Sequence, residues 1–472
     1  MSPKKILHFA IGPVGGALIS FLSLPIIAWV FSQEDVGKMA LLNVLLSFAT
    51  LFFTLGLDQS YVREFHESKN KALLLKTAVL PGFIVVLSVI VVSLAFGPWL
   101  SDLVFSIESV DISCLLAIAI LASFLSRFLS LVLRMNERGL AFSMSQLLPK
   151  TFLLFIILIY LLFDIEKTFK HLLFANTLAI VCACLIFSWN TRKEWLLSLY
   201  HKIDFQQLMQ MLHFGLPLLL GAGAFWGLTS LDRILLSRWS SYSELAIYSM
   251  SVSFAAAATI FQSVFSTVWA PTVYKWASGD DAHDKVILAS RYVLFFVIVL
   301  FCMAGLLSWI VPFILPAEYS AVKWILVACL AYPLLYTLSE TTVVGIGITR
   351  KSAYAMLACI LALLVNLACN YILIPKYGAA GAASSTALAF WAFLVFRTEF
   401  SIRVWKSLPR VSLYLFTFFA VLGAVAEALL QDRVRCLIYV YWFFLFFSSI
   451  YFFRVEIVSL KCSMVNILAK KQ

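Results

Sequence analysis

Runs of about twenty apolar residues, separated by short polar turns, recur along nearly the whole chain. Each is long enough to cross a hydrocarbon core ~30 Å thick at ~1.5 Å rise per residue. Lipid offers backbone amides no partner, so such runs must close their hydrogen bonds internally as helices. Transmembrane strands would alternate over ~10 residues, a pattern this chain lacks. The runs predict spans at Phe9–Phe31, Met39–Leu57, Thr77–Trp99, Ile112–Leu133, Leu140–Phe163, Leu172–Trp189, Phe214–Leu236, Ala246–Val268, Tyr292–Ile314, Trp324–Gly345, Ala353–Ile374, Ala380–Phe396, Val411–Leu430 and Leu437–Phe453. The first run is too long for a signal-peptide core and holds Pro25, so it is expected to stay as a span. The expected fold class is an all-α polytopic membrane protein of about fourteen transmembrane helices.

Composition removes the soluble alternative. Of 472 residues, 62% are hydrophobic and 12% charged, against roughly 45–50% and about 25% in soluble domains. Charge then orients the chain. With an even number of spans both termini share a side; the segments on that side hold twenty-four Lys/Arg, including Lys4, Lys5, Arg63, Arg350, Arg397 and Arg410, and the opposite segments hold eight. The threefold bias predicts that both termini are cytoplasmic. The net charge of +11 comes from these short clusters between apolar runs, so it is read as topology and no nucleic-acid partner is expected. The nine cysteines lie mostly within apolar runs without paired CxxC spacing, and the six histidines fall singly near helix ends without HExxH spacing. Inert thiols and no metal site are the expectation.

The longest hydrophilic stretch, about Asn190 to Leu212, separates six spans from the rest, and the sequence beyond it echoes the opening. His8-Phe9, Gly12-Pro13 and Gly16 recur as His213-Phe214, Pro217 and Gly221. Each set is followed, one span later, by an acidic turn, Gln33-Glu34-Asp35-Val36-Gly37 or Ser243-Glu244-Leu245-Ala246. Both copies enter the membrane from the same side, which predicts parallel lobes sharing a cavity. The expected organisation is a six-helix lobe over 1–190, a cytoplasmic linker over 191–212, a second six-helix lobe over 213–400, and two further helices with a tail over 401–472. The glycines and prolines of spans one and seven, Gly12, Pro13, Gly15, Gly16, Pro25, Pro217, Gly221, Gly223 and Gly227, read either as bending points or as close-packing surfaces.

No Walker lysine motif, glycine-rich phosphate loop, Ser-His-Asp set or metal-ligand cluster is present, and the loops are short, so no enzyme is expected. What remains is charge inside apolar runs, which costs ~2.5–3.5 kcal/mol per group at a helix centre on insertion scales unless water or a partner receives it. Arg127 in span four and Lys150, just after Pro149 in span five, are candidate cavity cations. Seven residues separate Arg127 from Arg134, which continues the same face toward the rim. Snorkelling, or a bond to a carbonyl, is the competing reading. Asp232-Arg233 in span seven gives a further candidate cation and a candidate ion-coupling carboxylate, or else an interfacial pair. Glu340 in span ten is a candidate protonatable carboxylate, or else a hydrogen-bonding partner of Ser339 or Thr341. Asp58, Arg63 and Glu64 form a charged rim after span two, or else a solvated loop.

Several stretches, taken in order, resemble a known family. They are Leu24-Pro25-Ile26, Ser32-Gln33-Glu34-Asp35-Val36-Gly37, Leu55-Gly56-Leu57-Asp58-Gln59-Ser60-Tyr61-Val62-Arg63, Phe214-Gly215-Leu216-Pro217, Leu231-Asp232-Arg233-Ile234-Leu235-Leu236-Ser237, Ala246-Ile247-Tyr248-Ser249 and Asn370-Tyr371-Ile372-Leu373-Ile374-Pro375-Lys376-Tyr377-Gly378-Ala379-Ala380-Gly381-Ala382-Ala383. Together they resemble the polysaccharide transporters, or O-antigen flippases, of the multidrug/oligosaccharidyl-lipid/polysaccharide (MOP) exporter superfamily. The resemblance implies two six-helix lobes in a V around a central cavity. It also implies transfer of an undecaprenyl-diphosphate-linked oligosaccharide from the inner to the outer leaflet of a bacterial cytoplasmic membrane by alternating access. An ion gradient, H+ or Na+, would drive transfer with no cofactor, alongside membrane lipids and the polymerase and chain-length proteins of the pathway. Fourteen spans, rather than the twelve of many members, is similar to the lipid II flippases.

In that reading Arg127, Lys150 and Arg233 would meet the diphosphate, while Asp232 and Glu340 would couple the ion. Two alternatives stay open. A drug or small-cation exporter of the same superfamily would favour carboxylates over Arg and Lys in its cavity. A polymerase or ligase of the same pathway would need larger outer loops.

Overall fold

The computed structural model describes residues 3–276, 282–456 and 458; the side chains of 3–11, 13, 14, 270, 434 and 435 are also outside the described set, and with them Lys4, Lys5, His8, Phe9, Pro13 and, in the tail, Cys462. Every regular element among the described residues is helical. Eleven helices are long and apolar enough to cross a membrane. Counting the helix over 352–404 as two crossings and adding the shorter apolar helices Gly15–Val30 and Cys436–Phe452 brings the total to fourteen, in line with the sequence pattern.

The chain divides into two compact units, Met1–Trp226 and Gly227–Gln472. The first contains α1 (Pro3–Val30), α2 (Gln33–Phe53), α3 (Leu57–Glu64), α4 (Lys71–Ala95), α5 (Trp99–Phe105), α6 (Val110–Met135), α7 (Gly139–Leu162), α8 (Phe169–Asn190), α9 (Arg192–Leu199) and the greater part of α10 (Phe205–Trp239). The acidic turn read from sequence is the start of α2. Ser32 caps it by accepting from the Asp35 amide at 3.2 Å, while the two acids of the first turn favour the positive end of the helix dipole. The stretch expected as a linker carries α9 and the start of α10. The glycines of α1, which is helical throughout, serve close packing. A Cβ at Gly12 would stand 2.8 Å from the Ser143 Cα, and one at Gly15 would stand 3.0 Å from Leu147, both on α7.

The second unit contains α11 (Tyr242–Trp276), α12 (Ala282–Leu307), α13 (Val322–Thr342), α14 (Val344–Ile348), α15 (Ser352–Val404), α16 (Val411–Leu430) and α17 (Arg435–Phe452). Helix α13 is its core. It packs on α11, α12, α15 and α16, and most of its residues are buried. Helices α16 and α17, expected as an appendage, pack on α12, and α16 also packs on α13 and α15. Helix α15 is two helices joined at Gly378, which adopts φ 52°, ψ −125°. The Glu244 carboxylate accepts the Ala379 amide at 2.7 Å and so supplies a cap to the second half. The outward faces are apolar: in α4, Ile84, Val85, Leu87, Val89, Val91 and Val92 are exposed, as a surface solvated by lipid requires.

Candidate functional site

In the first unit, the chain leaves α2 and turns through Leu55 (φ 51°) and Gly56 (φ 70°) into α3. The turn is pressed onto α10. A Cβ at Gly56 would run into the Gly215 carbonyl, and Ser60 Oγ donates to the Met211 carbonyl at 2.7 Å. Two stretches picked out in the sequence, around Gly56 and around Gly215, are therefore the two sides of one contact. Its consequence is the placing of Asp58 in the first turn of α3, against α6.

There Arg127 donates to Asp58 Oδ2 through both Nε (3.1 Å) and Nη2 (2.5 Å). The Asp58 side chain is 9% exposed and that of Arg127 39%, so the carboxylate is a buried anchor and the guanidinium is the presented group. The pair lines a cavity of about 410 Å³ together with Ser47, Thr50, Gln59, Ser123 and apolar residues of α2 and α10. Arg127 Nη1 has no protein partner among the described residues. An Arg held by one edge with donors to spare is suited to a carboxylate or phosphate.

The other expected members of this group are elsewhere. Lys150 does not line the cavity; its ammonium donates to the Gly16 carbonyl of α1 at 2.8 Å, the carbonyl-bonded alternative. A helix carbonyl is the nearest acceptor because the glycines bring α1 onto α7. Arg134 lies over the Phe142 ring at 5.9 Å, Arg63 over the Phe214 ring at 4.2 Å, and Glu64 accepts from Gln207 at 3.2 Å. All three stabilise the packing around α6, α7 and the start of α10.

In the second unit, Asp232 is fully buried and accepts from Asn370 Nδ2 (2.6 Å), Tyr248 Oη (2.9 Å) and Thr386 Oγ1 (2.5 Å). Asn370 also donates to Asn366 Oδ1 at 2.9 Å. Asn370 Oδ1 and Asn366 Nδ2 are buried with no partner, an arrangement that calls for explanation in a membrane-spanning core. Three of the quoted stretches, those holding Asp232, Tyr248 and the pair Asn370 and Gly378, converge on this cluster and on the Glu244 cap beside it. Asp232 and Arg233 are not an ion pair. Adjacent residues on a helix diverge, and Arg233 bonds the Thr229 carbonyl at 3.3 Å and lies 5.8 Å from the Tyr248 ring centroid.

Glu340 is not a lone carboxylate. Arg397, counted from sequence among the loop cations, lies within α15 and binds Glu340 at 3.0 Å and Ser339 Oγ at 2.6 Å. Neither Ser339 nor Thr341 takes the partner role expected of it, because the long α15 carries Arg397 back alongside α13. Asn366, Tyr248 and Thr386 are absent from the sequence-derived candidates. The available signal was the polar pair Asn366 and Asn370, one helical turn apart inside an apolar run.

A family model described as "Polysaccharide biosynthesis protein" matches residues 3–276. The capsular polysaccharide biosynthesis protein CapF of Staphylococcus aureus is 23% identical over 411 residues, covering 83% of this chain and 97% of CapF. Among solved structures, the lipid II flippase MurJ in an inward closed conformation aligns with a TM-score of 0.69 at 15% identity, over 96% of this chain and 100% of that one. A mutant of the Vibrio cholerae MATE transporter VcmN aligns with a TM-score of 0.53 at 16% identity, over 85% and 96%. At those identities the structural likeness is one of fold. This multi-pass helical membrane protein belongs to the polysaccharide biosynthesis protein family and has a fold similar to those of MurJ and the MATE transporters of the MOP superfamily.

Proposed function

We propose that the protein is a flippase. It carries an undecaprenyl-diphosphate-linked oligosaccharide repeat unit from the cytoplasmic to the outer leaflet of a bacterial inner membrane, by alternating access, for assembly of a surface polysaccharide such as O-antigen. The observation that carries this reading is Arg127, anchored on buried Asp58 and open to a cavity of about 410 Å³ with polar and apolar walls. A diphosphate is rejected by lipid tails and is received by charge-assisted hydrogen bonds, while the polyprenyl chain stays in lipid. The family, and a fold similar to that of a protein named as a lipid II flippase, support it. In this reading both termini are cytoplasmic, and the polymerase and chain-length proteins take up the product.

The driving ion binds at Asp232. The amide of Asn370 is oriented here by its hydrogen bonds, and rotating it would gather Asp232 Oδ1, Asn366 Oδ1 and Asn370 Oδ1 within one site. Three oxygens so placed repel unless a proton or a hard cation lies among them. Sodium, which takes oxygen ligands, fits that set.

Removing Arg127 alone would strand a buried carboxylate, so the informative strain carries Asp58→Asn with Arg127→Gln. Surface polysaccharide is expected to fall at least about tenfold, with undecaprenyl-diphosphate-linked units accumulating by mass spectrometry and protein abundance in the membrane unchanged. Normal polysaccharide, or accumulation of a solute without a lipid, removes the reading.

A further inference from the structure

We propose that the second unit holds a separate binding site for a phosphate-bearing anion, in the cavity formed by α11, α13, α14 and α15. The cavity measures about 500 Å³, within the range of small-molecule sites, and its charged lining residues are Arg350, Arg397 and Glu340. Two guanidinium groups face one carboxylate, which leaves an uncompensated positive charge. Trp269 and Tyr274 supply aromatic walls.

The two arginines differ in a way that suits binding. Arg397 is the fixed inner group: it is 11% exposed, paired with Glu340, and lies near the Tyr336 and Phe393 rings at 5.3 and 4.9 Å. Trp269 Nε1 donates to the Glu340 carbonyl at 2.9 Å and ties α11 to the same corner. Arg350 is the free outer group. It is exposed and makes no side-chain hydrogen bond, ion pair or ring contact among the described residues.

Arg350 also holds the left-handed conformation, φ 56°, where the chain turns from α14 into α15. That geometry crowds any Cβ and is taken up most readily by Gly or Asn. The position ends α14, with the Lys351 amide donating to the Ile346 carbonyl at 3.1 Å, and so fixes the Arg350 Cα at the mouth of the positive cavity. The ligand is an anion with tetrahedral oxygens, borne by a lipid or free in solution, received by Arg350 and bound deeper against Arg397.

The inference rests on the flippase reading only for its physiological ligand, and its test is independent of transport. Full-length protein in phosphatidylcholine nanodiscs is titrated with inorganic pyrophosphate in the Asp58→Asn, Arg127→Gln background, which removes the site of the first unit. Saturable binding is expected to persist there and to weaken about tenfold on adding Arg350→Asn, a residue that accepts the left-handed backbone. Thermal unfolding of the Arg350→Asn protein should be unchanged or raised, which separates loss of a ligand contact from loss of fold. Absence of binding in that background, or binding indifferent to Arg350→Asn, overturns the proposal and leaves the flippase reading intact. Competition by phosphatidylglycerol added to the discs assigns the site to a lipid headgroup; indifference to it assigns the site to a soluble anion.

Discussion

At the scale of single residues, what separates a charge engaged in packing from a working one is whether it opens onto a cavity or onto another unpartnered polar atom. Lys150 has a helix carbonyl, and Arg134 has a ring. Arg127 keeps donors free, and Asp232 sits beside an unpartnered carboxamide oxygen. Asp232→Asn preserves the shape of the cluster, so insertion and folding are expected to survive while transport in proteoliposomes loses its response to a sodium or proton gradient. Gradient-driven transport by that variant would rule Asp232 out as the coupling group. Glu427 poses the opposite case. Buried in α16, it accepts from Trp442 Nε1 of α17 at 2.8 Å and from Ser308 Oγ at 3.3 Å. Glu427→Gln should therefore unfold in detergent within a few degrees of the native protein. Glu427→Leu strands the Trp442 indole donor, while Ser308 Oγ keeps the Gly305 carbonyl at 3.3 Å, and should cost ~1–3 kcal/mol.

At the scale of elements, small residues decide which helices can touch and where they stop. The approach of Gly56 to Gly215 sets the position of α3 against α10, and everything at Arg127 depends on it. Gly56→Ala brings two penalties together. The left-handed backbone costs ~1–2 kcal/mol and forced overpacking ~1–3 kcal/mol. A clear fall in unfolding temperature, or failure to accumulate in the membrane, is expected; native-like stability would show that α3 is positioned by something else. Helix α15 makes the same point at Gly378, where only a break lets Asn370 and Thr386 from its two halves reach one carboxylate.

At the scale of the whole molecule, the chain is a lipid-solvated helical protein in two units, and orientation is the property still carried by charge counting. If the Lys/Arg bias governs insertion, a fluorescent protein fused after Gln472 will fold and fluoresce, and alkaline phosphatase at that position will be inactive. The reverse pattern would invert the direction assigned to transport without touching the fold.

Crossings and helical class were legible in the sequence because the bilayer imposes a length and an internal hydrogen-bonding rule that any twenty apolar residues must obey, and the family was legible through the resemblance of the quoted stretches. The stretches around Gly56, Gly215, Asp232 and Asn370 were visible there too, as separate pieces. Their assembly was not, since contacts such as Asp58 with Arg127 and Asp232 with Asn370 join helices 69 and 138 residues apart. Arg397 and Lys150 show the physical reason most plainly. Local sequence states that a charge lies in or near the membrane, but only packing decides whether a carboxylate, a carbonyl or open space stands opposite it.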